Sequence, residues 1–584
     1  MKLLFLCVAI ATWLGVSAGE EVPVVSTEEG IVSGIEEKAV NGDAFYSYYG
    51  IPYATPPTGE LRFKDPTPLA KGWEGVRNGS TMPSPCIQVR LGAVLMGMNI
   101  PPEYLDGKED CLFLNVFKPK AATSKGDLPV MVFIHGGGYF AGAADEYLPH
   151  VLLSKDVILV VIQYRLGFLG FLSTEDSVIP GNYGLKDQTL ALQWVQRNIQ
   201  NFGGDPKRVT IFGESAGGAS VHFQVLSPKA EGLFSGAIMQ SGNAFCPWAH
   251  AGELSKVAKE IGDLLGCSLE EGSQVYLKCM QSVNANKINA VMQDLPKFIA
   301  FPLVAVPRID GDFLPDHPIR LMQDGRYNKV NIMAGVTANE GAIFTHPMYA
   351  REDLIPALVN NFDVNGPYSL QWYSSDSDHG KLTDLVYNNY LGGVHLDRDH
   401  ADDLTQMMSD RHFNVGHDLF SKLHAGQEGV STFRYELVHR GQMSVGDFMA
   451  VDVGNYWVSH GDELYYLFRG GPLLQPLQKP SEEPRDLDEE DDLRLRNIIL
   501  TLWTNFAATG HPTSDESLGF LWSATTPDDL LHLALSPTPT MASDARKEVR
   551  KFFSSLPTKD NRLLNPHLVE EVNSSTSRAN QDEL

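Results

Sequence analysis

Basic residues are scarce in this chain. Its 584 residues carry 46 Lys and Arg against 72 Asp and Glu, a formal charge of −26. Nucleic-acid binding needs clustered cations facing phosphates, so that class of function is excluded. Long apolar runs are also scarce. Beyond an apolar leader, no stretch approaches the ~18 uninterrupted apolar residues of a membrane-spanning helix, and no transmembrane segment is expected. Cysteine is rare: there are six, and Cys7 lies in the leader. The remaining five are an odd number for an oxidising compartment. Cys86 with Cys111, and Cys267 with Cys279, would each close a short local loop, leaving Cys246 as a free thiol, although spacing alone does not decide the pairing. His412 and His417 are spaced by five with no ligand-like company. No metal and no cofactor are expected.

The two ends read as addresses. Lys2, the apolar run from Leu3 to Ala11, and the small residues Val16-Ser17-Ala18 have the layout of a secretory signal peptide over 1–18, cut after Ala18. The chain closes on Gln581-Asp582-Glu583-Leu584, which is similar to a Lys-Asp-Glu-Leu retention signal. Together they predict the endoplasmic reticulum lumen and a retention receptor for 581–584, with secretion as the alternative. Asn78-Gly79-Ser80 and Asn573-Ser574-Ser575 are glycosylation sequons in polar stretches.

Chemistry enters at Phe212-Gly213-Glu214-Ser215-Ala216-Gly217-Gly218, preceded by the β-branched run Val209-Thr210-Ile211 and followed by a helical pattern. A serine on a sharp strand-to-helix turn presents its hydroxyl above a sheet, and small glycines permit that turn. The bare pattern recurs at Gly15-Val16-Ser17-Ala18-Gly19, in the leader and with no strand before it. Context therefore selects Ser215 as the nucleophile. About 80 residues upstream, Val130-Met131-Val132-Phe133-Ile134 reads as a buried strand running into His135-Gly136-Gly137-Gly138. Such glycines allow backbone N–H groups to approach a substrate oxygen. Gly137, Gly138 and Ala216 are the candidate oxyanion donors. By itself the glycine run could equally be a plain turn.

Buried-looking strands at 130–135, 157–163, 209–213, 236–240 and 330–336 alternate with helical patterns near 185–200 and 216–226. Alternation of this kind predicts a largely parallel sheet covered on both faces. With no internal repeat and no Ser- or Pro-rich linker, 19–570 reads as one α/β domain with long insertions, followed by a flexible polar tail over 571–584. The acidic run 486–492 precedes the apolar positions Leu493, Ile498, Ile499, Leu502 and Trp503. It reads as a solvated face at the positive end of a helix.

The chain resembles the type-B carboxylesterases and cholinesterases of the α/β-hydrolase fold. The resemblance is carried by Phe45–Ala54, Glu109–Val116, the His-Gly-Gly-Gly turn, Asn182-Tyr183-Gly184-Leu185-Lys186-Asp187-Gln188 and the serine turn. It implies an α/β-hydrolase fold with a central, mostly parallel sheet flanked by helices, and a triad in the chain order nucleophile, acid, histidine. It places the acid at Glu340, in Thr337-Ala338-Asn339-Glu340-Gly341, ahead of Asp310 and Asp312. It places the histidine at His460, in Val458-Ser459-His460-Gly461-Asp462-Glu463. It also implies buried ion pairs Arg62–Glu109 and Arg165–Asp187. Ser241 either buttresses Glu340 or simply packs.

The implied activity is hydrolysis of small-molecule carboxylic esters through an acyl-enzyme intermediate. Neutral His460 would serve as base, so the rate is expected to fall below about pH 6.5. The loop from Cys86 to Cys111 has no tryptophan to hold a quaternary ammonium, which argues against choline esters. Its Ile87, Val89, Leu91, Val94, Leu95, Met96, Met98 and Ile100 would suit varied apolar esters, or would pack inward as core. Two alternatives stand beside this reading. A juvenile hormone or methyl farnesoate esterase is disfavoured by Glu214, where many such enzymes carry glutamine. A neuroligin-like binding protein is disfavoured by the filled triad positions.

Overall fold

A computed structural model describes residues 22–121, 127–372, 378–471, 473–475, 484–514 and 517–565. The leader 1–18, the sequon at Asn573 and the tail at 581–584 lie outside the described residues.

Strands of continuous apolar sequence build the centre. Eleven strands form one sheet: β1 (Ile35–Lys38), β2 (Ala44–Pro52), β3 (Phe113–Pro119), β4 (Leu128–Ile134), β5 (Ile158–Ile162), β6 (Gly204–Glu214), β7 (Gly236–Gln240), β8 (Asn331–Thr337), β9 (Thr432–Leu437), β10 (His532–Leu535) and β11 (Thr540–Ala542). Their spatial order is β11-β10-β9-β8-β7-β6-β4-β5-β3-β2-β1. The run from β10 to β5 is parallel throughout, and the outer strands on both sides pair antiparallel. All residues of β4, β5 and β7 are buried, as a sheet covered on both faces requires. Helices were expected near 185–200 and 216–226, and they occupy Tyr183–Asn198 and Ala216–Leu226.

The chain runs from β4 outward to β5, then returns to the other side of β4 as β6. The strand order therefore reverses between β4 and β6. Ligands of open α/β sheets bind beyond the carboxyl ends of strands at such a reversal. The glycine turn after β4 and Ser215 after β6 both sit there.

Both expected disulfides are present, Cys86–Cys111 and Cys267–Cys279, and Cys246 is a buried free thiol. Arg62 meets Glu109 at 2.5 Å, and Arg165 meets Asp187 at 2.7 Å. The acidic run differs in part from the solvated face expected of it. A helix does begin inside it, at Glu490, but Asp492 is buried and accepts hydrogen bonds from Tyr466 and the Gln442 backbone. Leu493, read as apolar packing, is exposed. Among the described residues no helix is long and apolar enough to cross a membrane.

Candidate active site

Ser215 has φ 59° and ψ −124°, between β6 and the helix Ala216–Leu226. A non-glycine residue in such a conformation costs about 1–3 kcal/mol and persists only where its surroundings over-determine it. Those surroundings are backbone. A Cβ on Gly217 would lie 2.1 Å from the Ile134 carbonyl oxygen, one on Gly213 2.4 Å from the same atom, and one on Gly242 2.0 Å from the Ser215 carbonyl. The Ser215 N–H donates to Gln240 at 2.8 Å, tying the turn to β7. The glycines of the motif are thus spent on close packing against β4 and β7.

The turn after β4 puts Gly137 at φ 99° and Gly138 at φ 61°. Their N–H groups donate to no protein acceptor among the described residues. Both glycines line one pocket with Ser215 and His460. Side chains cannot be added cheaply here, because a Cβ on Gly137 would fall 2.3 Å from the Ala141 carbonyl.

Glu340 follows β8 and is fully buried. One carboxylate oxygen accepts the Thr337 N–H at 2.7 Å, and the other lies 2.6 Å from His460 Nδ1. Asn339 ties the acid's loop to the histidine's. Its backbone N–H donates to the Val458 carbonyl, and its side-chain oxygen accepts the Val458 N–H, each at 3.0 Å. Asp462 fixes the other side of the histidine by accepting the N–H groups of Ser459 and Val445, both at 2.8 Å. Phe413 packs on the imidazole with ring centroids 4.6 Å apart.

The second imidazole nitrogen faces a different partner from the one expected. His460 Nε2 stands 2.9 Å from Glu214 Oε1, while Ser215 Oγ has no hydrogen-bond partner among the described residues. The contact is close without being well directed, since Glu214 Oε1 lacks hydrogen-bond geometry to any donor among the described residues. Burial favours the neutral imidazole, but the carboxylates of Glu214 and Glu340 outweigh it and hold the His460 pKa well above its ordinary value. The ordinary histidine value near 6.5 assumed in the sequence reading is thus displaced upward. Glu463 lies behind this pair and accepts from Gln240 at 3.3 Å. Burial, then the neighbouring Glu214 and Glu340, push its carboxyl up to about 8.

Not every candidate joins the site. Asp310 accepts the N–H groups of Asp312 and Leu314, and Asp312 pairs with Lys229 at 2.6 Å. Ser241 is buried beside the turn, but its hydroxyl makes no hydrogen bond among the described residues, Glu340 included. His412 is stacked on Phe301, and His417 lies 3.3 Å from Arg434. The loop between Cys86 and Cys111 divides its apolar residues. Leu91 and Leu95 line the pocket, with Phe140, Trp248, Phe301 and Phe344. Ile87 packs inward as core, whereas Met96 and Met98 are exposed.

Sequence reasoning did not assign Glu214, Asn339, Asp462 or Glu463 to the site. All four sit inside the quoted motifs, and that adjacency was the one signal available for them.

The family model described as the carboxylesterase family matches residues 21–553. Venom carboxylesterase-6 of Apis mellifera is 32% identical, over 93% of this chain and 96% of that protein. Juvenile hormone esterase of Tribolium castaneum is 35% identical, over 85% of each. Liver carboxylesterase of Sus scrofa is 34% identical, over 86% of this chain and 88% of that protein.

Proposed function

This chain belongs to the carboxylesterase family, and from that premise we propose that it hydrolyses apolar carboxylic esters with Ser215 as nucleophile. The observation that carries the reading is one pocket lined by a strained Ser215, by His460 buried against Glu340, and by two glycines with free N–H groups. His460 takes the Ser215 proton as the hydroxyl adds to the ester carbonyl, and Glu340 holds the imidazole by its Nδ1. The N–H groups of Gly137, Gly138 and Ala216 bind the oxyanion; losing one such donor typically costs ~10²–10³ in rate. The alcohol departs with the proton from His460. Water then adds to the acyl-serine by the same route in reverse and releases the acid.

His460 Nε2 lies against Glu214 in this unliganded arrangement and makes no hydrogen bond to Ser215 among the described residues. Catalytic hydrogen bonds of unliganded enzymes are often loose and tighten once substrate is bound. The test is turnover of p-nitrophenyl butyrate by wild type and Ser215→Ala, with labelling of the serine by a fluorophosphonate. Activity and labelling that survive the substitution would end this assignment.

A narrower reading is favoured by the aromatic and aliphatic pocket and by the juvenile hormone esterase relative. In it the substrate is a sesquiterpenoid methyl ester, and turnover confined to methyl farnesoate would select it over the general esterase. The non-catalytic alternative has no support from the site, where all three triad positions are filled.

The proposal extends to the compartment. A cleaved 1–18 leader, glycosylation and retention through 581–584 would place the single 19–570 domain in the endoplasmic reticulum lumen. Asn78 is exposed at the end of the strand Val76–Asn78, as glycosylation requires. Deleting 581–584 should move the protein to the medium while leaving it sensitive to a glycosidase.

A further inference from the structure

The loop closed by Cys86 and Cys111 carries one polar side chain that the ester mechanism does not use. Gln88 is fully buried and lies outside the wall of the pocket that holds Ser215 and His460. Its backbone pairs with the returning arm of the loop, donating to the Asp106 carbonyl at 2.9 Å and accepting the Asp106 N–H at 3.2 Å. This pairing and the nearby disulfide root the side chain in the base of the loop.

The amide at its end is fully used. Oε1 accepts the Gly142 N–H at 2.8 Å, and Nε2 donates to the Gly142 carbonyl at 2.9 Å and to the Cys86 carbonyl at 3.1 Å. Gly142 is thus held by both of its backbone groups at once. It stands at the far end of the turn that begins at His135. At φ 107° it backs onto the Gly136 carbonyl oxygen, which would lie 2.4 Å from a Cβ, so only glycine fits there. His135 Nδ1 lies 3.0 Å from the same oxygen. The two residues before Gly142 serve the next peptide unit. The N–H groups of Ala141 and Phe140 donate to the Gly137 carbonyl at 2.9 and 3.1 Å.

These contacts fall on the carbonyl halves of two peptide units. In a planar trans peptide the N–H points away from the C=O to which it is joined. Holding the Gly136 oxygen therefore aims the Gly137 N–H, and holding the Gly137 oxygen aims the Gly138 N–H. Residues 140–142 set the direction of both, and Gln88 holds the end of that segment. Donors of this kind act most strongly when they are fixed before charge develops on the substrate oxygen.

We propose that Gln88 is a positioning residue for the oxyanion donors, its amide clamping Gly142 to the base of the disulfide loop and thereby fixing the N–H groups of Gly137 and Gly138. This rests on the proposed ester hydrolysis. Gln88 acts through Gly142 and stays clear of the reacting atoms.

The test uses wild type, Gln88→Met and Gln88→Glu. Methionine keeps the length and makes none of the three hydrogen bonds. Glutamate keeps the shape and the acceptor for the Gly142 N–H, and donates to a carbonyl only when protonated. kcat and KM for p-nitrophenyl butyrate are measured per active site, counted by fluorophosphonate labelling run to completion. Ki is measured for a butyl trifluoromethyl ketone. In that adduct the Ser215 oxygen bonds to the ketone carbon, its proton passes to His460, and the ketone oxygen becomes the oxyanion.

In Gln88→Met, kcat should fall about tenfold or more while KM stays within about threefold of wild type. Ki for the ketone should rise by a similar factor, because both effects read the same donors. In Gln88→Glu the ratio of kcat to that of wild type should fall as pH rises from 6 to 9 and the carboxyl loses its proton. A structural role alone would lower the denaturation midpoint and leave kcat and Ki of the folded enzyme unchanged. Values within about twofold of wild type in folded Gln88→Met overturn the proposal. If that variant does not fold, a Gln88→Glu ratio flat within about twofold of one over the same pH range overturns it instead.

Absence of Ser215-dependent turnover in wild type defeats the ester hydrolase reading rather than the clamp. The clamp is then judged by hydrogen exchange at Phe140 and Ala141, whose N–H groups hold the Gly137 carbonyl. Exchange about tenfold faster in a folded Gln88 variant supports it, and an unchanged rate overturns it.

Discussion

His460 Nε2 stands 2.9 Å from Glu214 Oε1, so the nitrogen proposed to act as base faces the carboxyl group that precedes Ser215. With Glu340 at 2.6 Å on Nδ1, the imidazole is flanked by two negative groups in a buried site. Their carboxylates favour the imidazolium and hold the His460 pKa above the usual histidine value.

The acidic limb of kcat/KM should therefore lie above the ordinary histidine value, with activity lost as pH falls through it. In Glu214→Gln one carboxylate no longer stabilises the imidazolium, so the limb should move to lower pH. The plateau rate should stay within about tenfold of wild type, since the base itself is retained. Profiles from pH 5 to pH 9 on a soluble ester decide this. A limb that stays in place, or moves upward, would show that Glu214 does not set the His460 proton affinity.

Much of this arrangement was legible in the chain, and the remainder was hidden for definite reasons. The strands at 130–135, 157–163 and 236–240 are apolar runs that betray themselves locally. β9 does not, because Thr432-Phe433-Arg434-Tyr435-Glu436-Leu437 carries two charges. Arg434 is 1% exposed and is paired with Asp418, and Glu436 is paired with Arg546. Those partners come from sequence positions that only the fold brings near. The same holds at the site. Ser215, Glu340 and His460 sit in motifs, but the approach of Glu214 to His460 spans 246 residues of chain and leaves no local trace. Ser241 shows the converse case, a residue beside the turn whose hydroxyl makes no hydrogen bond among the described residues.

Arg165 and Asp187 make a second kind of prediction, about stability. Their side chains are 4% and 0% exposed, and Asp187 accepts three N–H groups of Arg165 between 2.7 and 3.0 Å. Removing one partner strands the other's charge, which costs about 3–5 kcal/mol. Arg165→Leu should lower the urea midpoint accordingly. The double substitution Arg165→Leu, Asp187→Leu should recover a large part of that loss, because no unpaired charge remains. Additive losses in the double mutant would show that the two residues contribute independently.

Asn339 is the residue on which the geometry of the proposed acid and base turns, although it touches neither substrate nor the reacting atoms. Its side-chain oxygen is the acceptor for the Val458 N–H, two residues before His460, and its own backbone N–H closes the same bridge. Asn339→Ala removes one of these two bonds and leaves a buried donor unsatisfied, a cost of about 1–3 kcal/mol. A structural role alone would lower the denaturation midpoint and leave the folded fraction fully active. A positioning role predicts more. Displacement of His460 by about 1 Å can cost on the order of 10²-fold in rate, so kcat should fall while KM changes little. Asn339→Asp keeps the accepting oxygen and should restore much of kcat. If kcat of folded Asn339→Ala equals that of wild type, the two loops are held together without this side chain. The shared origin of acid and base positioning in one asparagine would then be lost.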